Sequence, residues 1–288
     1  MATIQTALRV SLPKVPLSIV VVTAIIAVIV LAAVAAPWLA PSDPTQQSLL
    51  NRLKPPGFMG RGNVYYMLGT DDLGRDLFSR ILYGARVSLT FAVLSVAVST
   101  LVGVTLGMLA AWFRGWTEIF IMRSVDMMMS IPAILLAVLT VAVLGPGFMN
   151  LVLVLGLTRW PRYTRVAYGQ TLQVVNLPFI KASELAGAGA FRILFRHVLP
   201  NIAGPILIVA TSEFGLMILF EAGLSFLGLG IQPPAPSWGS IMSIGRQYLE
   251  RAWWIVAFPG GCLFLLVFSV NVLGDWLRDR LDPRSRTR

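Results

Sequence analysis

Val87–Phe113 reads VSLTFAVLSVAVSTLVGVTLGMLAAWF, 27 residues without one Asp, Glu, Lys or Arg. As an α-helix this run is about 40 Å long, more than the roughly 30 Å of hydrocarbon in a bilayer. Similar uncharged runs extend over Leu17–Ala36, Met127–Thr158 and Ala252–Gly274. The whole chain is 56% hydrophobic and only 12% charged, with a mean hydropathy of +0.77. A soluble domain carries about twice that share of charge. The chain therefore reads as an all-α integral membrane protein.

Six transmembrane helices are predicted, at about 17–39, 87–112, 119–144, 148–170, 202–222 and 252–275. The third and fourth come from one apolar run split at Gly145-Pro146-Gly147, where a helix does not readily continue. Arg159, Arg162 and Arg165 fall in the second half of the fourth and are read as marking its emergence at the headgroups. Glu213 lies within the fifth, so it must face protein or water. Asp126 is expected to pair with Arg123 or to mark the polar start of the third span. The first span is read as retained, because its uncharged run of 20 residues exceeds a usual signal-peptide core.

Basic residues give the orientation. With a cytoplasmic N-terminus the inner segments hold Arg9, Lys14, Arg114, Arg123, Arg159, Arg162, Arg165, Lys181, Arg192, Arg196 and five tail arginines, 15 of 23 Lys+Arg. Both termini are thus expected in the cytoplasm. The organisation that follows is a cytoplasmic N-terminal segment (1–16), a first helix with a long external loop (17–86), a five-helix core (87–275) with a cytoplasmic loop at 176–201, and a basic cytoplasmic tail (276–288). The net charge of +10 is assigned to topology and anionic lipid, since no aromatic-basic cluster suggests nucleic acid.

Within the second span, Ser95, Ser99, Gly103, Gly107 and Ala111 recur every four residues and predict a face for close helix packing. In the first external loop, Leu68–Asp76 reads LGTDDLGRD and only superficially imitates a calcium loop, because the twelfth position from Asp71 is Leu82. Thr70 or Asp71 is expected to cap the following helix, with Arg75, Arg80 and Arg86 as ion-pair partners. The second external loop, about 223–251, is rich in Gly and Pro ahead of Trp238 and reads as a folded lid.

Lys181–Asn201, KASELAGAGAFRILFRHVLPN, is polar and lies between two spans. Ala182, Ser183, Ala186 and Gly187 leave room for a close partner surface. After the Gly187-Ala188-Gly189 break, Phe191, Leu194, Phe195 and Val198 form one apolar stripe, with Arg192 and Arg196 on the other side. An ordinary amphipathic helix at the membrane surface fits this pattern equally well.

No catalytic constellation appears. His197 is the only histidine and Cys262 the only cysteine, which leaves no His/Cys metal site and no intramolecular disulfide. None of Lys14, Lys54 and Lys181 follows a glycine, so a phosphate-binding loop is absent and any ATP must be hydrolysed by another chain. Met127-Met128-Met129 occupies different sides of a helix and reads as packing. An ion-coupled secondary transporter is the competing class, but Glu213 and Asp126 make a thin relay.

The segment 181–201 resembles the EAA loop of binding-protein-dependent ABC importer permeases. Lys181-Ala182-Ser183 stands at the E-A-A place, Gly187 at the glycine, and His197, Leu199 and Pro200 at the close. Gly69-Thr70-Asp71 with Gly74-Arg75-Asp76, Gly84–Leu89, Leu224–Gly228, Gln232-Pro233-Pro234, Trp238-Gly239 and the tail from Gly274 to Pro283 resemble the C-type permease of dipeptide, oligopeptide and nickel importers. The resemblance implies a type I importer permease fold and a non-enzymatic, cofactor-free subunit of the cell inner membrane. It also implies a homologous second permease, two ATP-binding cassette subunits and an external substrate-binding protein. The coupling loop would then run through Lys181, Ala182, Ser183, Glu184, Ala186, Gly187, Ala188, Gly189, Arg192, Leu199 and Pro200. Peptides are the expected cargo, with nickel or glutathione as alternatives. Lys181 departs from the acid that names the motif, so the glutamate's contact does not carry over.

Overall fold

The computed structural model describes residues 16–60 and 64–281. Arg9, Lys14 and the tail motif Asp282-Pro283 with its last arginines lie outside the described residues, as do most of the segment 1–16 and part of the tail 276–288.

Helix α1 (Leu17–Val34) is followed by a short α2 (Ala36–Leu39), and the long loop before α3 then folds back around a small hairpin. In it β1 (Phe58–Met59) pairs antiparallel with β2 (Tyr65–Tyr66). Helix α3 spans Leu77–Phe113, ten residues more than the apolar run on its N-terminal side. Its cap is Asp76, whose carboxylate accepts from the Ser79 backbone N–H at 2.8 Å and from the Ser79 hydroxyl at 2.6 Å. The expectation that Thr70 or Asp71 caps it is corrected: Asp71 is occupied with Arg75 and Arg80.

The third expected span is broken. Helices α4 (Gly115–Ser130) and α5 (Ala133–Leu144) meet at 89°, where Ile131-Pro132 interrupts the backbone hydrogen bonding. Gly145, at φ +82°, ends α5, and α6 (Phe148–Val174) begins after Gly147. Short helices α7 (Pro178–Leu185) and α8 (Ala190–Ile193) precede a π-helical turn over Leu194–Val198. Helices α9 (Leu199–Phe226), α10 (Trp238–Gly245) and α11 (Trp254–Leu281) complete the chain.

Among the described residues four helical stretches are long and apolar enough to cross a bilayer, Leu17–Val34, Leu77–Phe113, Ala190–Phe226 and Trp254–Arg280, and the bent α4–α5 pair makes a fifth. The remaining expected span is α6, whose 27 residues have the length but whose apolar character is interrupted by three arginines.

Helices α3 and α6 meet along the small-residue face. Ser95, Ser99, Gly103, Gly107 and Ala111 are all buried. A Cβ added to Gly107 would stand 2.6 Å from the Thr164 carbonyl oxygen and 2.7 Å from Ala167 Cβ. Ser99 Oγ donates to the Gly156 carbonyl at 2.7 Å, and Thr164 Oγ1 to that of Gly103 at 3.0 Å. The approach is close enough for side-chain hydroxyls to bond across to backbone.

Apolar contacts form three groups. The largest fills the bundle centre around Phe91, Leu151, Leu155, Met217 and Leu266. At one end Ile180, Ile193, Leu194, Val198 and Ile202 pack with Val104, Met108 and Tyr163. At the other, Leu77, Ile81, Ile241, Trp254 and Ile255, with Leu53 and Leu68 of the loop before α3, join that loop to α10 and α11.

Candidate functional site

Three places collect the residues singled out in the sequence. The first is the segment between α6 and α9. Its underside is anchored: Ile180, Ile193 and Val198 are fully buried, and Leu194 is nearly so. Its outer side is open. Lys181, Ala182, Glu184, Ala186, Gly187, Gly189, Arg192 and Pro200 are exposed, while Ser183, Ala188 and Leu199 are half-buried. Leu185 is 91% exposed and Phe191 75%, unusual for large apolar side chains.

Gly187 holds this segment's shape through its backbone. At φ +82° it ends α7 in the left-handed region, donating to the Glu184 carbonyl at 2.9 Å while Ala188 N–H donates to that of Ser183 at 3.0 Å. This is the Schellman pattern, which favours glycine. Nothing lies within 4 Å of where a Gly187 Cβ would sit.

The apolar stripe expected over 191–198 is corrected. Leu194 and Val198 are buried, but Phe195 is 40% exposed and stacks with exposed Phe191 at 4.4 Å between ring centroids. Ile193, the last residue of α8 and just ahead of the π-helical turn, is fully buried instead. The sequence holds no strong signal for that turn.

The second place lies in the bundle. Glu213, fully buried, is the fifteenth residue of the 28 in α9. Arg159 donates to both its oxygens, Nε to Oε2 at 2.8 Å and Nη2 to Oε1 at 2.7 Å. Arg162 Nη1 adds an ion pair at 3.0 Å on Oε1. Arg159 and Arg162 therefore sit at the mid-length of α6 opposite a carboxylate, a partner that the reading of them as a headgroup marker did not include. The cause is Glu213: a buried acid draws in the cations that make its charge tolerable. Arg165, half-exposed, pairs with Asp126 at 2.6 Å, where Arg123 was expected. Arginines three residues apart in one apolar run, with a lone glutamate in another, were the available signal for this cluster.

Glu221, also fully buried, was passed over in the sequence. It accepts from Ser225 Oγ at 2.7 Å, Ser237 Oγ at 2.8 Å and Ser88 Oγ at 3.4 Å. Since Ser237 caps α10, this glutamate ties the loop between α9 and α10 to α3 and α9.

The third place is the loop motif ahead of α3, where Thr70, Asp71, Arg75 and Asp76 are all buried. Asp71 Oδ1 accepts from the backbone N–H of Leu73 and Arg75, each at 2.9 Å, and Oδ2 meets Arg75 Nε at 2.6 Å and Arg80 Nε at 3.2 Å. Thr70 Oγ1 donates to the Asn51 carbonyl at 2.5 Å, and Trp254 Nε1 donates to that of Thr70 at 3.2 Å. Gly74, at φ +71°, lies so near Ser48 that a Cβ would stand 1.9 Å from its carbonyl oxygen; at Gly69 the nearest atom is the Lys54 carbonyl oxygen, at 2.5 Å. These residues clamp the loop onto the starts of α3 and α11. Arg86 is exposed and takes no ion pair among the described residues. Asp72, only partly covered, has its carboxyl raised above the usual value of 3.8, first by burial and then by the charge of Asp71.

Comparison with known proteins places these features in a family. Residues 103–287 match the model described as binding-protein-dependent transport system inner membrane component. Residues 19–56 match the N-terminal TM domain of oligopeptide transport permease C. The di/tripeptide transport system permease protein DppC of Pseudomonas aeruginosa is 44% identical over 256 residues, covering 89% of this chain and 84% of that protein. The dipeptide transport system permease protein DppC of Escherichia coli K12 is 42% identical over 259 residues, covering 90% and 86%. Among solved structures, an inward-facing form of the MetNI methionine ABC transporter superposes with a TM-score of 0.55 at 20% identity, covering 70% of this chain and 97% of that one. An amino acid ABC transporter gives a TM-score of 0.51 at 15% identity, covering 70% and 94%. With the family model spanning most of the chain, and close relatives along nearly all of it, this protein belongs to the binding-protein-dependent transport system inner membrane components, the membrane permeases of ABC importers.

Proposed function

We infer that this chain forms half of the translocation pathway of an ATP-driven peptide importer, beside a homologous second permease. The relatives named for dipeptide and di/tripeptide transport support the cargo, being more than 40% identical along most of the chain. Two ATPase subunits supply the energy and an external binding protein delivers the peptide. The termini and the α7–α8 segment face the cytoplasm, as the distribution of basic residues favours.

The observation that carries the coupling role is the α7–Gly187–α8 segment. Its buried base makes it move with α6 and α9, while Leu185, Ala182 and Phe191 stand out from the chain with nothing of its own to cover them. An ATPase cleft that received this knob would move both helices. Lys181 is exposed and is assigned no contact from the family pattern.

The test is assembly and uptake. The chain, co-expressed with its second permease and ATPases, should retain the ATPases through purification. Leu185→Asp should lose them while keeping the second permease. Proteoliposomes loaded with ATP should take up di- and tripeptides with binding protein outside. Full ATPase retention by Leu185→Asp would overturn the coupling role, and absence of peptide uptake would overturn the cargo.

A further inference from the structure

The charges around Glu213 do not cancel. One carboxylate is shared by two guanidiniums, and their surroundings differ. Arg159 is 17% exposed, grips both oxygens, and lies over the Phe220 ring at 5.5 Å. Arg162 touches Glu213 through Nη1 alone and is 51% exposed. Arg159 is thus the counter-ion, while Arg162 carries a cation the cluster does not need.

Arg162 also lines two cavities. One, of about 620 Å³, lies between α6, α9 and α11 and includes Thr211, Ser212, Asn271, Asp275 and Arg278. The other, of about 340 Å³, lies where α4 and α5 break, with Met128, Met129, Pro132, Thr158 and Arg159. Both fall within the size range of small-molecule sites. Among the described residues Arg159, Arg162 and Arg278 line these cavities with Asp275 as the one lining carboxylate, and counting the buried Glu213 behind Arg159 and Arg162 still leaves one net positive charge. The neighbouring Arg165 is already neutralised by Asp126. A surplus guanidinium at mid-helix, open to a polar cavity, suits a ligand carboxylate, which a planar fork of N–H donors binds well.

We propose that Arg162 is a specificity-determining contact that binds a carboxylate of the transported peptide as it passes between these cavities, with the Arg159–Glu213 pair positioning it. The proposal rests on the peptide-importer reading and adds to it one residue and the chemical group recognised.

The experiment compares uptake of trialanine and trialanine amide by the full reconstituted importer, each at a concentration that saturates its binding protein. The parent should favour the free carboxylate by about tenfold, the low end of what one hydrogen bond between charged groups contributes. Arg162→Gln should bring the ratio to within about twofold of one, chiefly by slowing trialanine. Should that variant fail to assemble, Arg162→Lys, which keeps the charge without the fork, should lower the ratio at least about threefold. A parent that transports both peptides equally, or a ratio unchanged in the variant that assembles, overturns the proposal while leaving the importer reading intact. Equal slowing of both peptides overturns it too, by showing a structural role only. A parent that transports neither peptide removes the importer reading and the proposal together.

Discussion

Gly103 carries its backbone directly against Tyr163: a Cβ built on the glycine would stand 2.5 Å from the tyrosine's own Cβ. No relaxation of a flexible tip can relieve that contact. Gly103→Val should therefore push α3 from α6 and cost about 1–3 kcal/mol, the usual range for overpacking. Thermal unfolding in detergent checks it, and Gly169→Ala, where a Cβ meets nothing within 4 Å, serves as the matched control.

Gly187 should respond to conformation and not to size. Its site is open but its φ is +82°, so Gly187→Ala should cost about 1 kcal/mol and Gly187→Asn less, because asparagine tolerates the left-handed region. Hydrogen exchange over residues 178–188 should quicken in the order parent, Asn, Ala. Equal exchange in the alanine and asparagine variants would contradict a backbone role.

Removal of Asp71 strands two buried cations. Arg75 and Arg80 have side chains only 5% and 3% exposed, so Asp71→Ala should cost about 3–5 kcal/mol. Asp72, with one contact to Arg75 at 3.3 Å and more exposure, should cost far less when replaced by alanine. Limited proteolysis of the loop before α3 would register the difference.

Asp72 should also impose a pH dependence. Its carboxyl is raised above 3.8 in the folded protein, chiefly by burial, so folding favours the protonated form. That stabilisation is complete below pH 3.8 and is lost as pH rises through the higher folded value. Asp72→Asn has no charge to gain. Its melting temperature relative to the parent should rise across that window and level off above it; an offset constant with pH would contradict the shift.

The Arg159–Glu213 pair should behave as a unit. Glu213→Gln leaves two guanidiniums at mid-helix without a counter-charge and should cost several kcal/mol, reduced by the half-exposure of Arg162. Arg159→Gln with Glu213→Gln together should cost less than the sum of the two singles. A double-mutant cycle on melting temperatures measures that coupling.

Much of the bundle was legible because lipid permits few solutions. Uncharged runs located α1, α3 and α11, and the four-residue repeat from Ser95 to Ala111 identified the face on which α6 lies. Gly145-Pro146-Gly147 marked the turn between α5 and α6 for a local reason, the backbone freedom of glycine. What the sequence hid depended on distant partners. Nothing near Arg159 indicates Glu213, 54 residues on, so the arginines read as a boundary. The cap of α3 fell to Asp76 because Asp71 was taken by Arg75 and Arg80, a competition visible only in three dimensions. Pro132 was in plain view, yet the right angle it permits could not be told from a mild kink.

Two tryptophans fix the end of the bundle at which α3 begins. Trp254 Nε1 ties α11's start to the Thr70 carbonyl, and Trp238 Nε1 ties α10's start to that of Ile81 at 3.1 Å. Their hydrogen bonds join both helix starts to the start of α3, so that end resists splaying. Helix α9, about 42 Å from Leu199 to Phe226, meets this fixture through Glu221 near its far end. A load taken up beside Leu199, where α9 packs through Ile202 against α3 and α6, acts about 33 Å along the helix from the Glu221–Ser237 bond, with the Arg159–Glu213 pair as a charged tie between them.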